Sequence, residues 1–170
     1  IFSGSSTILF LKNIMTVKFF ICDVDGCLND GKIYWGTDGK PFKAFGNYDH
    51  DGLKMIRGHC HVAFITADQK GWDISYNRIH THMHFPLHFV KEADRYAWVE
   101  KFGFENVAYM GDGFYDAPII KKAAIGIAPA QGRIEARVAA RYVTPSAGGE
   151  GAVMDACLYI MDQIGIKYAI

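Results

Sequence analysis

An apolar run that ends in two carboxylates and a glycine, residues 19–28, constrains this chain more than any other stretch. Such a run is typical of a parallel β-strand buried on both faces, and open α/β sheets place their ligands at the carboxyl ends of these strands. Asp23 and Asp25 stand at that end, followed by Gly26. Because two adjacent acids are costly to bury unless a cation or protons offset their charge, the pair indicates a divalent metal site. Asp-x-Asp alone is equally compatible with an ordinary loop, so the remaining motifs decide.

Two further apolar runs end in polar residues in the same way. Residues 106–110 lead into Gly-Asp-Gly at 111–113 and so deliver a second carboxylate, Asp112. Residues 62–65 end in the hydroxyl of Thr66. Taken alone, Thr66 is also what an ordinary helix N-cap requires.

The chain length and the apolar pattern predict one domain built from alternating strands and helices. A chain of 170 residues, half of them hydrophobic, can build one sizeable core. We expect this domain over residues 16–170, after a segment, 1–15, that is disordered or derived from upstream or vector sequence. The predicted elements after the first strand are a helix at 53–58, a strand at 62–65, a helix at 70–80, a short strand within 80–88, strands at 106–110, 124–128 and 142–143, a helix at 134–140, and a last amphipathic helix that runs through Cys157 and Ile164.

The motif Asp-Val-Asp-Gly-Cys-Leu-Asn-Asp at residues 23–30 resembles the first motif of haloacid dehalogenase (HAD) superfamily phosphatases. Within that superfamily, residues 17–163 are similar to the small capless branch typified by 3-deoxy-D-manno-octulosonate 8-phosphate phosphatase and related nonulosonate phosphatases. The resemblance implies an α/β fold: a Rossmann-like parallel sheet flanked by helices, with a small β-hairpin flap and no cap domain. It also implies a Mg²⁺-dependent phosphomonoesterase that acts through an aspartyl phosphate on a small phosphorylated sugar acid.

The same resemblance assigns roles to the acidic residues. Asp23 would be the nucleophile, and Asp25 would protonate the leaving alkoxide and then activate water. Mg²⁺ would be held by the Asp23 carboxylate, the Asp25 backbone carbonyl and Asp112. Asp116, in the outer shell, would orient a metal-bound water.

Two further roles concern the phosphate. Thr66 matches the second motif, whose hydroxyl donates a hydrogen bond to the substrate phosphate. The third motif is a lysine at the start of a helix, and the spacing to Gly103 selects Lys91, with Arg95 as the alternative. A fixed cation there would balance the charges of the nucleophile and the phosphate.

The chain departs from the family pattern at three places. Ala67-Asp68 replaces a Gly followed by a variable residue, often Arg or Glu; Gly113 replaces the second Asp of the fourth motif; and Met154 stands where Arg is common. They leave open a different small sugar phosphate as substrate, or a catalytically inactive or regulatory HAD-like binding module. Transfer of the phosphate to a sugar instead of water also stays open.

Residues 32–35 and 42–45 are β-prone and flank a strong Asp-Gly turn signal, which predicts a hairpin. The excursion is too short to be a cap domain. Its aromatic side chains would be costly to leave in water, so we expect them to meet another subunit. In the resembling family the corresponding hairpin helps to form a tetramer, and a homotetramer is therefore expected here.

Charge and cysteine content limit the remaining function classes. Eighteen basic and eighteen acidic residues cancel, and no basic block is present to attract nucleic acid. The brief apolar burst at residues 8–11 is too short for a membrane span. Four cysteines without a CxxC pair favour reduced thiols in a cytoplasmic protein. The partner expected for the site is a small phosphorylated molecule.

The histidines at 80, 82 and 84 suggest an alternative metal site. On one face of a strand they could converge on zinc. No carboxylate or cysteine lies nearby in sequence to complete such a site, so surface histidines are the preferred interpretation.

Overall fold

The computed structural model describes residues 14–40 and 42–168, and most of the predicted segment 1–15 lies outside this range. Within these ranges six strands form one sheet: β1 (Phe19–Asp23), β2 (His61–Thr66), β3 (Leu87–Phe89), β4 (Val107–Met110), β5 (Ile125–Ala128) and β6 (Tyr142–Val143). Every pairing is parallel and the order is β3-β2-β1-β4-β5-β6. The predicted Rossmann-like parallel sheet is confirmed, with β1 at its centre.

Helices cover both faces of the sheet: α1 (Tyr48–Ile56), α2 (Trp72–Tyr76), α3 (Arg95–Glu100), α4 (Ala117–Lys122), α5 (Ile134–Ala139) and α6 (Ala152–Gln163). Side chains alternate along β1, so Phe20 and Cys22 enter one core with α1 and α6, whereas Ile21 enters a second core with α3, α4 and α5. Burial on both faces explains why β1 is apolar throughout. The extent of the single domain, 16–170, stays a prediction.

Helix α6 begins without a capping side chain of its own, because Gly151 precedes it. Asp49 of α1 supplies the cap: its Oδ1 accepts hydrogen bonds from the amides of Val153 and Met154, at 2.9 and 3.1 Å. This contact fastens α6 to α1. It also sets the position of the glycine-rich segment before α6.

Two local predictions are corrected. In the described part of the hairpin region no regular strand forms, and the excursion is held by isolated antiparallel bridges, Asn29 to Phe45 and Gly36 to Gly39. The helix predicted at 70–80 is present as α2 and the helical turn Asn77–His82 that continues it, whereas the strand predicted within 80–88 begins only at Leu87, and His84 takes a left-handed conformation with φ of 59°. The three histidines therefore do not share a strand face.

No helix in the described ranges is both long and apolar enough to cross a bilayer.

Candidate active site

The site lies where β1 ends and the chain turns sharply through residues Val24–Leu28. Gly26 adopts φ of 90°, and a Cβ at this position would lie 2.1 Å from Asp112 Oδ2. Glycine is therefore required both by the left-handed backbone and by the approach of Asp112. The turn brings the end of β1 against the end of β4.

Asp23, Asp112 and Asp116 converge at this edge because β1 and β4 are parallel neighbours. Each offers a carboxylate oxygen, and these oxygens lie within 4.8 Å of one another; no other group of three candidate metal ligands occurs among the described residues. Burial raises the pKa of Asp23 well above its usual value, and burial together with Asp116 raises the pKa of Asp112 to about 6. Clustered, buried carboxylates of this kind fit a hard divalent cation such as Mg²⁺.

Arg95, the first residue of α3, is the cation next to the nucleophile position. Its Nη1 and Nη2 donate to Asp23 Oδ2 and Oδ1 at 2.9 and 3.0 Å, and Nη1 also donates to Asp116 Oδ1 at 2.9 Å. Burial lowers the pKa of Arg95, but the neighbouring carboxylates of Asp23 and Asp116 outweigh this effect and raise that pKa above its usual value. The guanidinium therefore stays charged and offsets part of the acidic cluster.

Lys91, which the spacing selected, lies elsewhere. Its side chain is exposed and lines a separate surface depression with Gln69 and Trp72. A short 3₁₀ turn, Glu92–Asp94, delays the start of α3 until Arg95. The structure thus brings the alternative residue, and not Lys91, to the carboxylates.

Tyr109 is a site residue that the sequence reasoning missed. Its side chain is fully buried in β4, and its hydroxyl donates to Asp116 Oδ1 at 2.6 Å. Asp116 Oδ2 accepts from the amide of Gly113 at 2.9 Å. A buried tyrosine hydroxyl needs a hydrogen-bond partner, so a tyrosine in an otherwise apolar strand could have indicated a polar group close to that strand.

Asp25 is held by three donors. Its Oδ1 accepts from Lys43 Nζ at 2.7 Å and from Asn29 Nδ2 at 2.9 Å, while Oδ2 accepts from Thr66 Oγ1 at 2.8 Å. Thr66 is completely buried at the end of β2, and its Oγ1 also accepts from the amide of Asp68. The predicted phosphate ligand Thr66 is therefore beside Asp25, and Lys43 joins the site unpredicted.

The glycine-rich segment after β6 contacts the turn after β1. A Cβ on Gly148 would lie 2.1 Å from the carbonyl oxygen of Gly26, so only glycine allows this approach. Gln131, also unpredicted, links the two loops: its amide donates to Gly26 O at 2.6 Å and its carbonyl accepts from Gly148 N at 2.8 Å. Met154 packs against Gly52 of α1.

A cleft of about 430 Å³ opens above these groups. Asp23, Asp25, Asp112 and Arg95 line it, and its other charged or aromatic lining residues are Lys32, Lys40, Asp68, Glu92, Phe114, Tyr115 and Asp116. The two lysines come from the hairpin region. The cleft can therefore present a carboxylate nucleophile and an acidic cation site, with the exposed side chain of Lys32 beside them.

No family model matches the chain. It is 32% identical over 148 residues to the 3-deoxy-D-manno-octulosonate 8-phosphate phosphatase KdsC of Salmonella typhi, covering 83% of this chain and 77% of that protein. Its fold is similar to that of a probable yrbi family phosphatase from Pseudomonas syringae, with a TM-score of 0.78, 31% identity and 88% of both chains covered. It is also similar, with a TM-score of 0.74, 27% identity and 88% of both chains covered, to the Moraxella catarrhalis 3-deoxy-D-manno-octulosonate 8-phosphate phosphatase in complex with magnesium, phosphate and KDO.

Proposed function

Since the chain belongs to the 3-deoxy-D-manno-octulosonate 8-phosphate phosphatase family of the HAD superfamily, we propose that it hydrolyses a small phosphorylated sugar acid at the cleft above Asp23. It is a Mg²⁺-dependent phosphatase. The observation that carries the proposal is the convergence of Asp23, Asp112 and Asp116 within 4.8 Å at the end of β1. Lys32, which lines the cleft and has a side chain that is 76% exposed, would offer a cation to a substrate that carries both a phosphate and a carboxylate.

Asp23, Asp112 and the backbone carbonyl of Asp25 would hold Mg²⁺, which supplies charge neutralisation between the nucleophile and the phosphate. Asp23 would attack phosphorus and carry the phosphoryl group as an aspartyl phosphate. Its Oδ1 already accepts from Val24 N and Arg95, whereas Oδ2 accepts from Arg95 alone. These hydrogen bonds fix the orientation of the Asp23 carboxylate at the end of β1.

Asp25 would give its proton to the leaving oxygen and take one from water in the second step. The proton would be carried by Oδ2, because Oδ1 is filled by Lys43 and Asn29. Arg95 would stabilise the charge that develops on the phosphate oxygens while it orients Asp23. Asp116, whose Oδ1 accepts hydrogen bonds from Tyr109 and Arg95, would lie outside the set of Mg²⁺ ligands and orient a water beside the metal site.

Assembly as a homotetramer in the cytoplasm is part of the proposal. Ile33, Trp35 and Phe42 of the hairpin region are more than half exposed, and a neighbouring subunit would remove these apolar side chains from water. The same contact would wall the cleft, which opens beside Ile33. The four cysteines are buried and free, which supports a reducing compartment.

The test is a phosphate-release screen with Mg²⁺ over sugar-acid, neutral sugar and nucleotide monophosphates, with a chelator arm. We expect the highest kcat/KM for 3-deoxy-D-manno-octulosonate 8-phosphate and no release with chelator. Equal or better kcat/KM for neutral sugar phosphates would refute the sugar-acid substrate, and silence across the panel would favour a binding module. Repeating the assay with added sugars would reveal phosphotransfer as a loss of free phosphate.

A further inference from the structure

Lys43 is a buried cation that no motif of the family resemblance assigns. Only 3% of its side chain is exposed. Its Nζ lies 2.7 Å from Asp25 Oδ1, 2.8 Å from Ser75 Oγ and 2.9 Å from Asp68 Oδ2. An ammonium has three protons to donate, and all three have acceptors here.

We propose that Lys43 is a positioning residue that fixes the carboxyl group of Asp25 for proton transfer to the leaving group, and that Asp68 and Ser75 hold Lys43 in place. The inference rests on the proposed function, because it assigns Asp25 as the acid and base of the same site. It adds a reason for Asp68, which departs from the family pattern. In this arrangement Asp68 acts on Asp25 through Lys43 and does not need to touch the substrate.

Asp68 is suited to this anchoring role by its own contacts. Its Oδ2 accepts from Lys40 as well as Lys43, and its Oδ1 accepts from the amide of Gly71 at 3.0 Å. Burial raises the pKa of Asp68, but the hydrogen bonds from the two lysines outweigh this effect and lower that pKa to about 2. Asp68 therefore stays ionised and offsets the charge of Lys43 even when Asp25 carries a proton.

The arrangement sets which oxygen of Asp25 transfers the proton. Lys43 and Asn29 fill Oδ1, whereas Oδ2 accepts from Thr66 and keeps one lone pair, so Oδ2 is the oxygen open to the transferred proton. In the first step the Oδ2–H bond breaks and an O–H bond forms on the leaving oxygen. That oxygen keeps the electron pair of the broken P–O bond, and phosphorus bonds to Asp23. Asp25 is left as a carboxylate against the Lys43 ammonium, which stabilises it.

A direct phosphate contact by Lys43 is the competing explanation. The three protons of its ammonium already have acceptors, and its side chain is almost fully enclosed. Lys32, in contrast, lines the cleft with a side chain that is 76% exposed. The geometry favours positioning.

The experiment compares kcat/KM, which reports the first half-reaction, for two substrates of Lys43→Met. One is 3-deoxy-D-manno-octulosonate 8-phosphate, whose alkoxide needs a proton to leave. The other is p-nitrophenyl phosphate, whose phenolate leaves without one. We expect a loss on the order of 10²-fold for the sugar phosphate and less than about tenfold for the aryl phosphate, because general-acid catalysis matters only for the poor leaving group. Lys54→Met, which removes an exposed lysine paired with Asp51 on α1, is the matched control and should leave both values unchanged.

Equal losses on the two substrates would overturn the proposal, because they indicate a phosphate contact. Unchanged values on both would overturn it as well. If Lys43→Met does not fold by circular dichroism, Asp68→Asn replaces it, and the same selective loss is expected with the same contrary results. Wild-type protein that releases no phosphate from either substrate would instead refute the proposed function.

Discussion

Replacing Arg95 by methionine removes the only cation that contacts both Asp23 and Asp116 among the described residues. Exposure of the three side chains is 7%, 4% and 1%, so both carboxylates would be left largely enclosed without their cation. Breaking a buried ion pair by removing one partner costs about 3–5 kcal/mol. We expect Arg95→Met to lose about that much unfolding free energy in metal-free buffer.

Magnesium should recover part of this loss, because a bound cation offsets the same carboxylates. Activity should still fall by about 10²- to 10³-fold, the usual effect of losing one electrostatic stabiliser of the transition state. Urea unfolding with chelator and with Mg²⁺ measures the first effect, and phosphate release under saturating Mg²⁺ measures the second.

Lys91→Met is the matched control, since Lys91 lies four residues earlier and is exposed. Its unfolding free energy should stay within about 0.5 kcal/mol of wild type, as for ordinary surface substitutions. An inactive Lys91→Met beside an active Arg95→Met would refute the assignment of the cation. Wild-type stability of Arg95→Met in chelator would refute the buried ion pair.

Three further predictions concern the nucleophile, pH and assembly. Asp23→Asn keeps the shape of the side chain but cannot attack phosphorus, so turnover should vanish; activity within about tenfold of wild type, in protein checked for deamidation, would exclude Asp23 as nucleophile. Because the folded-state pKa of Asp112 is raised from 3.8 to about 6, the folded protein binds more protons between these values, and metal-free protein should lose stability as pH rises from 3.8 to about 6; a thermal midpoint that climbs over that range would contradict this. Light scattering should give the mass of four protomers, and Trp35→Asp, at a side chain 60% exposed in the protomer, should lower both mass and activity; a fully active monomer would rule the tetramer out.

Much of the fold and the acidic part of the candidate site could be predicted from the sequence. The strands β1, β2 and β4 can be recognised in the sequence as apolar runs, because a strand buried on both faces needs apolar side chains at consecutive positions. Asp23, Thr66 and Asp112 follow or end those runs, so their place at one edge of a parallel sheet comes from strand direction alone. The glycine at 26 is likewise a local requirement.

Prediction failed where a local pattern fits two structures. The histidines at 80 and 82 suit a strand face by spacing, yet the helical turn Asn77–His82 carries them. The segments around the Asp-Gly turn are β-prone, yet in the described residues they form isolated bridges. In the part of the chain that the structure describes, neither segment has a neighbouring strand that completes a regular ladder, and β-propensity depends on such partners.

The cations of the site were decided only by tertiary structure. Arg95 meets Asp23 across 72 residues, and Lys43 meets Asp25 across 18 and Ser75 across 32. Lys91 and Arg95 were the two candidates for the cation of the third motif, and the 3₁₀ turn between them determines which one faces the carboxylates. Runs and turns are set by near neighbours and can be read along the chain. Ion pairs between distant segments depend on the path of the whole backbone, which the packed sheet and helices alone determine.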